Sequence, residues 1–466
     1  MEHVVPPQDT VRIAIPGSKS LSHRYLIGAA LAKGTSIVSN VQESNDVRIT
    51  KRILTQLGAA IEDDALGVRV TGIGGCVRGG TSPMECDMGE SGTSCRLLSA
   101  VLAAGNGLFR IFGQGRMHKR PIGELCTQLS SLGAGIVYTE NPGYPPFLLQ
   151  ANGLHPDLVQ GKVAVAMDDS SQYFSGLLLA SPLCSSELVL DLGGRKAISW
   201  PYVGLTLQCL ADFGIPFTVQ TRPHDQAPWQ MLAPTQWREI ALVQPGCLRI
   251  TVSPKPYQSG TFAIEGDWSN ASYFLAAGAL GQHPVTVEGL REDSLQGDRI
   301  ILDILTKMGC QMDIAPTSVT VYPSPLHGVD LDMGFCPDLV PTVAVVASFA
   351  HGSTRIRNVK HLQYKESNRL QASCEELKKI DITIDQLSDG LLISGKSAHK
   401  RGQSQLPTLP ADTRFQSHND HRIAMSLAIL DCINPNLQVY AHMDDPHVVD
   451  KSFPAFWEKW RCLVSH

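Results

Sequence analysis

One kind of segment recurs six times along this chain, and no other feature limits its fold as tightly. Each copy is an apolar stretch rich in small residues, usually opened by Ser, Asp or Asn. The copies read SLSHRYLIGAALAKG from Ser20, GTSCRLLSAVLAAG from Gly92, SSQYFSGLLLASP from Ser170, WSNASYFLAAGALG from Trp268, PDLVPTVAVVASFAHG from Pro337 and NDHRIAMSLAIL from Asn419. Their starts lie 72, 78, 98, 69 and 82 residues apart. A second signature follows at least five of them: ITKRILTQLGAAI, IGELCTQLSSLGAGI, VGLTLQCLADFGIPF, IILDILTKMGCQM and LQASCEELKKIDITI. Apolar residues at helical spacing make both signatures helices, and Gly residues suited to a left-handed C-cap close four of the second set. Short β-branched runs such as VRIAI, VRVTGI, KVAVAM and LRITVS lie between and read as strands. The pattern predicts a strand–helix–strand–helix–strand–strand unit repeated six times, an α/β fold.

At 466 residues the chain is too long for one ordinary core, and six such units divide naturally into two domains of three. The longest interval contains Thr221–Gly246, rich in Gln, Pro and Trp, which is expected to be a surface insertion. A domain boundary is expected nearby. The spans expected are residues 20–264 for one domain and 1–19 with 265–466 for the other, the active site lying in a cleft between them.

The first helix of each unit is apolar enough to be buried nearly all round, yet its N-terminal edge is polar in every copy. Capping accounts for most of these residues, since Ser, Thr, Asp and Asn satisfy first-turn amides. It does not account for Lys19, Arg24 and Arg422. Cations at a helix N-terminus oppose the dipole, at up to about 1 kcal/mol. They make sense where amides, dipole and cation hold one anion together. The formal net charge of −5 makes such sites local and argues against a general binder of nucleic acid or membrane surfaces. Arg120 before Pro121, the pair Lys365 and Arg369 on one helical face, and Lys451 extend the cationic set. The pattern is that of a binder of polyanionic small molecules. No apolar run reaches membrane-spanning length, and the polar opening segment does not read as a signal peptide. Twelve scattered cysteines without a Cys-x-x-Cys pair suggest packed, reduced thiols and a cytoplasmic location. Fifteen scattered histidines, with no Cys-x-x-Cys pair to accompany them, give no reason to expect a metal.

These motifs in this order resemble the enolpyruvyl-transferase family, from about Ile15 to Phe456. The resemblance is carried by PGSKSLSHR, NDVR, ESGTSCR, RMHKRPIG, SSQYF, SWPY, GDWSNASYF, QGD, PDLVPT, KESNR, NDHRIAM and DKSFPAF. It implies a two-domain inside-out α/β barrel built from six βαβαββ repeats. It also implies transfer of the enolpyruvyl group of phosphoenolpyruvate to the 5-hydroxyl of shikimate 3-phosphate, without a cofactor, by a chain expected to be a monomer. The implied shikimate 3-phosphate residues are Ser20, Arg24, Ser170, Ser171, Gln172, Ser199, Tyr202, Asp338 and Lys365. The implied phosphoenolpyruvate residues are Lys19, Gly92, Arg120, Gln172, Arg369, Arg422 and Lys451. Lys19, Asp338 and Glu366 are the implied catalytic groups. Three positions depart from the family pattern: Glu90 stands where Asn is usual, Leu97 where Pro is common, and His361 where Asn is frequent. The sister enzyme that acts on a UDP-amino sugar carries a reactive Cys before its Arg-Pro. Here that loop reads GQGRMHKRP, and Cys126 falls within a helix. A paralogue acting on another cyclic hydroxy acid and a catalytically silent binding protein are the remaining alternatives.

Overall fold

The structure is a computed structural model and describes residues 10–396 and 414–464. Each of the six apolar segments forms a helix that begins at or beside its polar edge. These are α1 (Lys19–Leu31), α3 (Gly92–Ala103), α5 (Gln172–Ala180), α7 (Trp268–Leu280), α9 (Val340–Ser348) and α11 (His421–Ala428). The second signatures form α2 (Asn45–Gln56), α4 (Gly123–Ser131), α6 (Pro201–Asp212), α8 (Ile301–Lys307) and α10 (Arg369–Lys378). The first set is buried as its composition requires: every residue of α9 and of Leu21–Leu31 in α1 is withdrawn from water. Burying a Leu, Ile or Val side chain stabilises by roughly 1.5–3 kcal/mol, so these largely apolar helices are held by packing on every face rather than by one amphipathic stripe.

Among the described residues, five of the six repeats build a sheet on a common plan. The first strand runs parallel to the second, the fourth lies antiparallel beside the second, and the third closes the edge. Met84–Asp87, Asn106–Phe112, Phe147–Asn152 and Gly135–Tyr138 make one such sheet. Asp330–Asp332, His351–Arg357, Leu391–Lys396 and Thr383–Gln386 make another. Two repeats trade their opening strands. Val11–Ala14 pairs with Val285–Glu288 of the fourth repeat, while Thr261–Ala263 pairs with Ile37–Ser39 of the first. The chain therefore passes twice between two compact units. One is continuous, Ser18–Ile264; the other joins Met1–Gly17 to Glu265–His466.

The sixth repeat differs from its expected form. Among the described residues it keeps α11 but forms no sheet, and a single bridge between Phe415 and Met443 stands in its place. Helices fill the remainder, ending in Phe456–Val464, whose Phe456 and Trp460 pack on Phe274 of α7. The insertion after Thr221 adds a short fifth strand, Gln230–Met231, to its sheet. Trp229 there is clasped between the guanidiniums of Arg222 and Arg249, each 4.4 Å from its ring. Among the described residues no helix is long and apolar enough to cross a membrane.

Candidate active site

In the continuous unit, α1 brings Lys19 and Arg24 to its first two turns. Lys19 Nζ lies 3.4 Å from Asp46 Oδ2 on α2. Arg24 is 1% exposed, and each acceptor that it meets is neutral. It donates to Thr206 Oγ1 at 2.8 Å, to the carbonyls of Ser20 and Tyr202 at 2.8 and 2.9 Å, and to Ser175 Oγ at 3.3 Å. Burial pulls its pKa down to about 10, so it remains a cation at neutral pH. A buried cation without a carboxylate is costly unless an anion joins it. The contacts of Arg24 thus draw together Ser20, Tyr202 and α5.

Around α3, Gly92 and Arg120 fit one another. A Cβ on Gly92 would fall inside the Arg120 guanidinium, 2.8 Å from Nη1 and closer to Cζ and Nη2. Arg120 also donates to the Glu90 carbonyl at 3.3 Å. The Glu90 carboxylate is directed at Gly115, where any side chain would collide with it. Gln172, the first residue of α5, donates to Thr93 Oγ1 at 2.9 Å and accepts from Arg96 Nη1 at 2.8 Å. Ser170 Oγ accepts the Gln172 amide, whereas buried Ser171 makes no side-chain cap. Ser199 adopts φ +55, a left-handed backbone uncommon outside Gly and costing on the order of 1–2 kcal/mol. Behind these groups, His23, Thr50, Ser94 and Ser91 form a chain of hydrogen bonds joining α1, α2 and α3. Burial drives the His23 pKa down to about 3, so this chain is neutral.

The discontinuous unit holds a lattice of alternating charge. Asp338, in the turn before α9, accepts Arg369 Nη1 and Arg422 Nη2, each at 2.8 Å. Glu366 accepts Arg369 Nη2 at 2.9 Å, and its other oxygen lies 3.8 Å from Lys451 Nζ. Arg369 further donates Nε and Nη2 to Asp420, the N-cap of α11, at 2.8 and 3.3 Å. Four of its five N–H groups are thereby taken by three carboxylates. The phosphoenolpyruvate role that the resemblance implies for Arg369 falls on the most committed guanidinium of the lattice. Burial alone would raise the Asp338 pKa, but Arg422, Lys365 and Arg369 outweigh it and hold the group well below the usual carboxylate range.

Beside this lattice lies a group that the sequence reading left without a role. Asp298, from the QGD motif, accepts a hydrogen bond from Ser269 Oγ, and Ser269 in turn meets Arg422 Nη2 at 3.4 Å. Burial, then the charge of Asp338, push the Asp298 pKa up to about 7. Motif recognition flagged Gln296–Asp298 and Gly266–Trp268, yet only packing reveals which carboxyl resists ionisation. An acid with a raised folded pKa binds its proton more tightly folded than unfolded. Stability therefore falls as pH rises from about 3.8 to about 7, by a few kcal/mol at most. Asp298→Asn cannot ionise and still accepts from Ser269. Its melting temperature minus that of the parent should grow by several °C between pH 5 and pH 8; a constant difference would contradict this ionisation.

Cys126, buried in α4, has its thiol pushed up to about 12 by desolvation, which unsuits it as a nucleophile. The described residues contain no group of three potential metal ligands.

A solved enolpyruvyl transferase, NikO from Streptomyces tendae, superimposes with a TM-score of 0.68 at 16% identity, covering 98% of this chain and 95% of its own. The fold is that of the enolpyruvyl transferases. EPSP synthase from Acinetobacter baumannii aligns with a TM-score of 0.70 at 25% identity over 98% of this chain and 96% of its own. A relative from Shewanella sp. (strain MR-7), named 3-phosphoshikimate 1-carboxyvinyltransferase, is 36% identical over 453 residues, 97% of this chain and 96% of its own. The sequence profile of EPSP synthase (3-phosphoshikimate 1-carboxyvinyltransferase) matches residues 7–238 and 242–460. The chain belongs to that family.

Proposed function

We infer that this protein transfers the enolpyruvyl group of phosphoenolpyruvate to the 5-hydroxyl of shikimate 3-phosphate, releasing phosphate, with residues of both units serving one reaction. The carboxylate–guanidinium lattice of Asp338, Glu366, Arg369, Arg422 and Lys451 carries this reading. It supplies an ionised acceptor for a proton, Asp338, beside cations for a phosphate, and no step calls for a redox or electrophilic cofactor.

Arg24 suits the phosphate of the acceptor, being a buried cation held only by neutral groups. Arg120 at Gly92, with Lys19, Arg422 and Lys451, suits the phosphate and carboxylate of the donor. Asp338 is ionised and takes the 5-hydroxyl proton as its oxygen attacks C2 of phosphoenolpyruvate. When the donor phosphate draws on Arg422, Asp338 loses part of the field that depresses its basicity. Glu366, with Lys19, delivers a proton to the methylene carbon. The adduct then expels phosphate, which takes the proton held by Asp338, as a methyl proton returns to Glu366, so acid and base exchange roles.

The test is phosphate release from phosphoenolpyruvate with shikimate 3-phosphate, run beside UDP-N-acetylglucosamine. Release with the first acceptor alone is expected; release with the second alone would transfer the assignment to the sister reaction, and release with neither would remove it. Glu366→Gln, which keeps a hydrogen-bonding partner for Arg369, should lower kcat by about 10²–10⁴ with KM values changed only a few-fold. Unchanged kcat would refute the proton-transfer role.

A further inference from the structure

The segment leading into α11 is fastened to α10 at three levels. Arg369, at the start of α10, binds Asp420. Two turns on, Glu376 accepts the amide of Gln416 at 2.9 Å and His418 Nε2 at 2.8 Å. At the end, Lys379 donates to the Arg414 carbonyl at 2.8 Å and to Glu376 at 2.7 Å. As residue numbers rise on α10 they fall on the segment, so residues 414–420 lie antiparallel along the helix. His418 and Asn419 both adopt φ +53, two consecutive left-handed residues outside Gly. Strain of that kind persists only where surrounding contacts over-determine it, and it clusters at functional sites. Here the strained pair turns the chain so that Asp420 caps α11 and Arg422 reaches Asp338.

We propose that Glu376 and His418 are positioning residues for Arg422, and that protonated His418 holds the segment in the geometry that binds the donor phosphate. Glu376 is 1% exposed and sits at the centre of the clamp. The groups facing His418 are Glu376 and Glu375 on α10, at 2.8 and 3.9 Å, together with Lys379, the C-cap of α10, and Asp444, which also accepts the Ser417 amide at 2.7 Å. The hydrogen bond to Glu376 raises the His418 pKa, burial and Lys379 opposing it. The ion pair is complete below about pH 6.5 and is lost as pH rises through the higher folded value.

The naming of the donor rests on the transferase reading, so one probe is inorganic phosphate, whose binding needs no turnover. In the full-length protein, NMR titration of the His418 ring should give a pKa above 6.5 that saturating phosphate raises further. By linkage, phosphate affinity must fall by the same factor between low and high pH. His418→Asn keeps a residue tolerant of the left-handed backbone but removes the charge. It should raise KM for phosphoenolpyruvate about 3–10-fold at pH 6 with kcat within about twofold, the difference from the parent vanishing near pH 9. A His418 pKa unmoved by phosphate, or a variant-to-parent KM ratio independent of pH, would overturn the proposal. If phosphate moves the His418 pKa while no acceptor supports turnover, the clamp stands and the transferase assignment falls.

Discussion

Asp338→Ala is expected to lower kcat by about 10²–10⁴ and the melting temperature by about 10 °C, while Asp338→Asn is expected to lose as much kcat with a much smaller loss of stability. The carboxylate joins Arg369 and Arg422, side chains only 2% and 8% exposed. Removing one partner of a buried charge pair costs about 3–5 kcal/mol, mostly because the remaining charge is left uncompensated. At roughly 2–4 °C per kcal/mol for a unit of this size, that is the melting shift expected of alanine. Asparagine keeps one oxygen for a guanidinium and keeps the volume, but it cannot accept a proton. The loss it shares with alanine is the chemical one, about 10²–10⁴ in kcat. Thermal melting beside steady-state kinetics separates the two effects. Asparagine with nearly parental kcat would deny Asp338 its role as base, and alanine with unchanged melting would deny the lattice its structural one.

Gly92→Ala is expected to raise KM for phosphoenolpyruvate by about 10–100-fold while leaving KM for shikimate 3-phosphate and the melting temperature nearly unchanged. The new methyl group would occupy the place of the Arg120 guanidinium. Because the obstructing atoms end a flexible side chain, the arginine yields rather than the helix, and alanine itself favours helix. Displacing a cation from a charge-assisted hydrogen bond costs about 1.5–3 kcal/mol, or one to two powers of ten in affinity. Unchanged KM for phosphoenolpyruvate would place Arg120 outside the donor's grip.

The helices were legible because their apolar, small-residue pattern has no solvent-facing stripe, and α1, α3, α5, α7, α9 and α11 begin within three residues of where that pattern begins. Strand partners were not. The expected spans put Val11–Ala14 with residues 265–466 and Thr261–Ala263 with residues 20–264, but both carry the same alternation as any other opening strand, so nothing local names the strand each pairs with. Among the described residues the sixth repeat forms no sheet, a departure that nothing in the pattern of α11 announces. Among the candidate functional residues, Lys19, Arg24 and Arg422 stood out as cations at helix starts, where the dipole disfavours them. Asp298, Ser269 and Glu376 carried no comparable anomaly. A carboxyl in a sequence looks the same whether it faces water, an arginine or another carboxyl, and its proton affinity is settled only by what packs around it.

The reaction is tested most directly by 31P NMR of the protein mixed with phosphoenolpyruvate and shikimate 3-phosphate. The expected spectrum shows the phosphoenolpyruvate signal replaced by inorganic phosphate, with the shikimate 3-phosphate signal shifting to that of its 5-enolpyruvyl ether in equal amount. Phosphate that accumulates without the ether, or a mixture that stays unchanged, would contradict a transfer between two anions held by these arginines and lysines.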